Sequence, residues 1–378
     1  MAVTPKHRRE LRAQPSRSAG DGQPTGSALP ELRDALLAWF AATRRDLPWR
    51  RSRDPYRVWL SETMLQQTRV EAVVPYFERF TARFPTVADL AAAPVEDVLA
   101  AWSGLGYYRR ARSLHAAARA VVERHDGHFP SARADLLELP GIGPYTAGAI
   151  ASIAFDAAEP LVDGNVARVL ARLFLLDMPQ ESSAFRGDSW RIAGELLAGL
   201  GGRSPGDWNQ ALMELGALVC TPRAPRCLVC PVRAHCRASS EGRVDELPVP
   251  KKRPATIEVE LHVALVRDGA RVLVTERPST GRMAGLWELP TIEPAGEARL
   301  ATGAWPRDTR GSSRLAIQDE LGAVAHSITR HKIRARVFAG RWIEGATAEP
   351  LRFVTPDELA GLGPTGLTAK VLRASFVR

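Results

Sequence analysis

All four cysteines of this 378-residue chain fall between positions 220 and 236. They are Cys220, Cys227, Cys230 and Cys236, in the spacing C-x6-C-x2-C-x5-C. Four thiolates within 17 residues can surround one metal centre, which forces the local chain into a compact loop. A secreted disulfide protein would spread its cysteines, so one local site in a reducing cytoplasm is expected, and four unrelated buried thiols are a poor fit to the spacing. The spacing leaves two occupants open, a Cys₄ zinc ion and a four-iron cluster, [4Fe–4S]. Arg223, Arg226 and Arg233 lie within the loop and would offset the negative charge of such a centre.

The character of the chain changes on either side of this loop. Residues 1–28 carry Lys6, Arg8, Arg9, Arg12 and Arg17 among Pro, Ser, Gly and Gln without periodicity, as expected of a disordered basic tail. From 29 to 219, segments such as ELRDALLAWFAATRR, DPYRVWLSETMLQ and VARVLARLFLL place apolar residues at helical spacing, separated by Pro, Gly and Asp. After the cysteine loop (220–236), residues 237–256 are polar and Pro-rich and read as a linker. In 257–378, IEVELHVALV, ARVLVTER and IRARVFAGRWI alternate as strands, and PDELAGL and LTAKVLRASF close the chain as helices. The expectation is a multi-domain protein, all-α first and α+β second. No run of 18 or more apolar residues exists, and the basic N-terminus lacks an apolar core, so neither a membrane span nor a secretory signal is expected. A cytoplasmic monomer fits these features.

The net charge of +9 and pI of about 9.9 favour a polyanionic partner. Only five of the 51 basic residues are lysines, a bias of coding composition, so the arginine count alone says little about phosphate binding. Residues 31–236 hold 24 basic and 23 acidic side chains, so clustering carries the information. The clusters are Arg44, Arg45, Arg50, Arg51, Arg53 and Arg57, then Arg109, Arg110 and Arg112. Either cluster could follow a phosphate backbone or form a solvated helix face.

The segment LPGIGPYTAGAI (139–150) is more specific. Gly141-Ile142-Gly143 makes a tight turn and Pro144 opens a helix at its first position. Gly141 and Gly143 let backbone N–H groups approach a ligand, and the helix N-terminus favours an anion. This is a helix-hairpin-helix pattern, which holds a DNA phosphate without reading sequence.

Together with SETMLQQTRV (61–70), GLGYYRRAR (104–112) and VDGNVARVLAR (162–172), the hairpin and the cysteine loop resemble the adenine DNA glycosylases, the MutY family of the helix-hairpin-helix glycosylase superfamily. The resemblance covers residues 30–236. It implies removal of adenine mispaired with 8-oxoguanine or guanine in double-stranded DNA, and a [4Fe–4S] cluster in place of zinc. It puts the catalytic glutamate at Glu62, the second carboxylate at Asp163 beside Asn165 of the DGN motif, and base-stack insertion at Gln67 and Tyr107. Without it, Tyr107 and Tyr108 read equally well as core residues. His115, His125 and His128 show no metal spacing and take no role.

The chemistry of these residues can be argued separately. Most helical glutamates are solvated, but the i±3 and i±4 neighbours of Glu62 are Val58, Trp59, Leu65 and Gln66. On such a face desolvation should raise its pKa and suit it to general acid work. Adenine leaves poorly as an anion, and protonating a ring nitrogen makes it a neutral leaving group. Asp163 precedes the helix GNVARVLARLFLL and reads as its N-cap. A fixed cap is also a positioned carboxylate, able to stabilise or attack the oxocarbenium-like sugar left behind. In relatives resembling endonuclease III a Schiff-base lysine stands where this chain has Tyr145, which offers no amine to the sugar carbon. Hydrolysis without efficient strand cleavage is therefore expected, with a packing aromatic as the plainer role for Tyr145. An adenine in a duplex must be extruded, and a stacking surface beside Arg109 and Arg110 suits that step.

The second domain resembles the MutT-like domain that these glycosylases append for recognising 8-oxoguanine, and GLWELP (285–290) fits it. Nudix hydrolases need an R-E-x-x-E-E block for metal ions, whereas SSRLAIQDELG offers only Asp319 and Glu320. The family's Phe-Ser-His lesion-reading triplet aligns best with Thr329-Arg330-His331, where only His331 matches. Three rivals remain: a glycosylase with lyase activity, a non-catalytic DNA-binding module, and a Nudix-type nucleotide hydrolase. The missing amine, the two carboxylates in matching motifs and the missing metal block speak against them in turn.

Overall fold

The computed structural model describes residues 29–250, 255–278, 283, 285–294, 315–343 and 351–374. The tail expected over 1–28 lies outside the described residues. The first helices are α1 (Leu29–Thr43), α2 (Pro55–Leu65), α3 (Val70–Arg83), α4 (Val87–Ala92) and α5 (Val95–Ala101). Next come α6 (Tyr108–His125), α7 (Arg133–Leu137), α8 (Pro144–Phe155), α9 (Gly164–Leu173), α10 (Ser183–Ala198), α11 (Pro205–Leu218) and α12 (Arg237–Ser240). Strands β1 (Ile257–Asp268), β2 (Arg271–Glu276), β3 (Trp287–Glu288), β4 (Thr291–Ile292), β5 (Leu315–Ile328), β6 (His331–Trp342) and β7 (Leu351–Val354) follow. Helices α13 (Pro356–Leu362) and α14 (Gly366–Arg373) come last.

The packing gathers these elements into two compact units. One comprises the described parts of 1–43, 162–203 and 210–250; the other comprises 44–161, 204–209 and the described residues after 250. In the first unit, α9 packs against α10 and α12. The buried Arg33 of α1 donates from Nε to Leu196 O (3.0 Å) near the end of α10. The expected linker is partly structured here: Leu247 is buried, and Arg172 Nε donates to its carbonyl (2.8 Å) and to that of Val244 (3.0 Å). The stretch also bonds within itself, Arg243 N to Ala238 O (2.8 Å) and Glu246 N to Arg243 O (3.1 Å), and Arg172 satisfies two further carbonyls from outside.

In the second unit α2 is buried on nearly every side, from Tyr56 through Met64. Asp54 caps it, accepting from Tyr56 N at 2.9 Å, and Pro55 opens it. Trp59, Leu60, Met64, Phe77, Phe80, Trp102 and Leu114 fill one core, with Phe80 edge-on to Trp102. Buried hydroxyls on α2 bond back to their own helix: Ser61 Oγ to Val58 O (2.8 Å) and Thr63 Oγ1 to Trp59 O (2.8 Å). A carboxylate has no such local donor, so Glu62 must find its partner elsewhere.

The strands form a mixed sheet in the order β3-β2-β1-β6-β5, with β4 beside β1 and β7 beside β2. β1 and β6 are parallel, and the other pairs are antiparallel. Val259, Leu261, Val263 and Leu265 alternate onto one face with Ile333, Ala335 and Val337. The end of β1 is buried on both faces, because Ala264 and Val266 meet Leu273 and Leu315 on the other side. SSRLAIQDELG, read from sequence only as a poor metal block, lies largely within strand β5. Glu320 there accepts from Arg336 Nε (3.1 Å), which holds its carboxyl below the usual range. GLWELP also contributes to the packing, since both carboxylate oxygens of its Glu288 accept from the buried Arg277 Nη1, at 2.8 and 2.7 Å.

Candidate active site

Glu62 is only 7% exposed. Its partner comes from the hairpin, where α8 packs against α2 and the hydroxyl of Tyr145 donates to Glu62 Oε2. Tyr145 is thus more than a packing aromatic. It ties the first turn of the hairpin helix to the acidic side chain, with no amine at that position.

The hairpin turn runs from α7 through Pro140-Gly141-Ile142-Gly143 into α8, with Ile142 buried beneath it. Gly141 has φ of +78°, and a Cβ there would lie 2.6 Å from Ser113 Cβ. Gly143 is extended (φ −99°, ψ −179°) with open space about it, so only Gly141 is demanded by conformation. Gly143 instead leaves the approach to the N-terminus of α8 open.

In the other unit Asp163 is the N-cap of α9, as its position before that helix suggests. Its carboxylate accepts from Val166 N (2.7 Å) and from Asn165 Nδ2 (2.9 Å). Burial pushes its pKa up, opposed by these hydrogen bonds and by the Arg168 guanidinium. Sequence reasoning missed Arg168, whose Nη2 donates to Asn165 Oδ1 (2.8 Å) and whose Nε donates to Cys220 O (2.7 Å). One turn on, Arg172 Nη1 lies 3.3 Å from Cys220 Sγ. Two arginines spaced i, i+4 inside the apolar run VARVLARL are the signal the sequence offers for them.

The four cysteines are half-buried and free of disulfides. Burial pushes the Cys230 thiol up to about 11, and Cys220, Cys236 and Cys227 act on it in the same direction. Among the described residues no three side chains close tightly enough to hold a single ion. Four cysteine sulfurs are a donor set that suits either a Cys₄ zinc ion or an iron–sulfur cluster.

The expected DNA-facing residues divide. Gln67 (φ +58°) and Tyr107 (φ +51°) are both exposed, Tyr107 to 58%. Tyr108 packs on the core. Arg109 is exposed, whereas Arg110 turns inward onto backbone carbonyls. That corrects the expectation of a phosphate contact from Arg110. A cavity of about 310 Å³ opens among Gln66, Tyr107, Arg109, Ser113 and Gly141. Arg50 is half-buried and donates to Arg45 O (3.3 Å), while Arg51 and Arg53 pair with Asp46 and Asp156. Much of that first basic cluster is therefore an ion-paired face.

His331 requires a correction as well. It is 3% exposed, with Nδ1 3.3 Å from Ile328 O, so it does not present a ring nitrogen at the surface. The exposed residues of the β5–β6 turn are Thr329 and Arg330. Position 331 shares the inward parity of Ile333, Ala335 and Val337 along β6, which explains the burial.

Comparison with known proteins agrees with this geometry. Residues 60–192 match the HhH-GPD superfamily of base excision DNA repair proteins, and residues 262–374 match the NUDIX domain. The chain is 36% identical to rat adenine DNA glycosylase, over 90% of this chain and 77% of the relative. It is also 36% identical to the human adenine DNA glycosylase, over 86% and 69%. The chain belongs to the adenine DNA glycosylase family. A thermostable thymine-DNA glycosylase of known structure is 28% identical with a TM-score of 0.50, over 57% of this chain and 99% of that one. The glycosylase is thus a base excision repair enzyme acting on DNA, with a helical domain of helix-hairpin-helix type and a Nudix-type domain after it. No described helix is long and apolar enough to cross a membrane.

Proposed function

We propose that the chain excises adenine mispaired with 8-oxoguanine or guanine in duplex DNA, as a monomeric, cytoplasmic, monofunctional glycosylase. The observation that carries this reading is the hydrogen bond from Tyr145, on the hairpin helix, to the buried Glu62. A carboxyl group so enclosed can deliver a proton to a ring nitrogen of an extruded adenine, which then leaves neutral. Asp163, held by Val166 N and Asn165, supplies negative charge to the oxocarbenium-like sugar until water adds. Gln67 and Tyr107 fill the space left in the stack, and the N-terminus of α8 behind Gly141 and Gly143 holds a phosphate with help from Arg109. In the second domain, exposed Arg330 at the hairpin tip supports a phosphate contact, and recognition of the opposite base falls to that face without His331.

Tyr145 makes the product testable. A duplex holding adenine opposite 8-oxoguanine should be cut only after alkali or heat, and borohydride should trap little enzyme on DNA. Efficient trapping would mean that an amine elsewhere attacks C1′, and the monofunctional reading would have to go.

Cys220, Cys227, Cys230 and Cys236 would hold a [4Fe–4S] cluster, with Arg172 beside Cys220 offsetting its charge. Bound there, a cluster would staple the loop by tying its four cysteines to one centre. Metal analysis of purified protein should give about four irons per chain and a brown colour. One zinc and no iron would overturn the assignment.

A further inference from the structure

Two surface turns of the glycosylase hold non-glycine residues in the left-handed region, Gln67 at φ +58° and Tyr107 at φ +51°. An L side chain resists that backbone, so each turn must be held by its surroundings. One guanidinium touches both. Arg110 Nη1 donates to Thr63 O (2.8 Å), Met64 O (3.0 Å) and Gln66 O (2.7 Å) at the end of α2. Its Nη2 reaches Thr68 Oγ1 (3.4 Å) in the turn after α2, and Gly106 O (3.3 Å) and Leu105 O (3.4 Å) in the turn before α6. The acceptors at the end of α2 are carbonyls that the helix itself leaves unpaired, where a cation is also favoured by the helix dipole.

The same guanidinium lies 5.4 Å from the centre of the Tyr107 ring and 5.5 Å from that of Trp102. Trp102 Nε1 in turn donates to Gly106 O at 3.1 Å. The planar fork therefore bridges two loops that are distant in sequence, each carrying an exposed side chain. A lysine, with a single ammonium, cannot span these acceptors in the same plane.

We infer that Arg110 is a positioning residue that locks Gln67 and Tyr107 together as one preformed wedge for entering the base stack. It touches neither base nor sugar. Its effect is to remove the ordering that two independent loops would otherwise need at the moment of insertion. The inference rests on the reading that Gln67 and Tyr107 enter the stack.

The test uses the full-length protein and a duplex with adenine opposite 8-oxoguanine and 2-aminopurine beside the target. Arg110→Met should stay folded with a modestly lowered melting temperature, yet lose most of the fluorescence rise on binding. Adenine release in a single turnover should slow by about 10- to 100-fold, as expected for a misplaced contact. In a Gln67→Ala, Tyr107→Ala background the same change should cost less than about 2-fold, because the coupled partners are already gone. Arg110→Lys should fall between, and serves if Arg110→Met does not fold. Costs that multiply across the two backgrounds would mean that Arg110 acts as ordinary scaffold, and wild-type behaviour of Arg110→Met would also overturn the inference. A wild-type enzyme that releases no adenine would defeat the functional reading instead, and the fluorescence signal would still judge Arg110.

Discussion

Glu62→Gln is expected to abolish adenine release while leaving duplex binding intact. The amide keeps the shape of the side chain and can still accept from the Tyr145 hydroxyl, so the interface between α2 and α8 should survive. It holds no transferable proton. Adenine would then have to leave as an anion, and the loss should reach the upper part of the usual range for a general acid, about 10²- to 10⁴-fold. Single-turnover release, with a binding titration beside it, checks both halves. A Glu62→Gln enzyme that releases adenine at near-normal rate would remove Glu62 from the chemistry.

Asp163→Asn should slow release by about 100- to 1,000-fold, the usual worth of about 3–4 kcal/mol of electrostatic stabilisation. Asn is itself a good N-cap, so α9 should persist and the change isolates charge from structure. The wild-type pH profile carries a second signature. Asp163 must be ionised to stabilise a cation, and burial raises its pKa above the ordinary 3.8. Release should therefore fall with acid at a pH above the normal aspartate range, and that limb should vanish in Asp163→Asn. Arg168 bonds to the Asn165 amide oxygen and opposes the rise. Removing that arginine should move the limb to still higher pH.

Much of this site is legible in the sequence because its signals are local. The cap at Asp163 follows from a carboxylate placed just before a helix, and the enclosure of Glu62 from its neighbours Val58, Trp59 and Leu65. The left-handed turn at Gly141 follows from a Gly-x-Gly between two helices. Partners far apart in the chain are not legible. The Tyr145–Glu62 bond spans 83 residues, and nothing near either residue announces it. Arg110 reads as a phosphate ligand because it stands beside Arg109, yet one step around the helix turns it from solvent onto carbonyls. β5 escapes notice because QDELG is polar and bulged, and among the described residues the strand pairs only with β6 at the edge of the sheet, so alternation fails there. His331 shows the opposite error. Alignment with a recognition triplet implies an exposed ring, whereas the two-residue parity of β6 points it inward.

The most direct test is to count the free adenine released in a single turnover from three duplexes that differ only in the base opposite the target: 8-oxoguanine, guanine or thymine. Adenine should appear opposite 8-oxoguanine and guanine, stay bound to its sugar opposite thymine, and appear nowhere with Glu62→Gln. Release of a base other than adenine, or equal release of adenine from all three duplexes, would contradict the assignment.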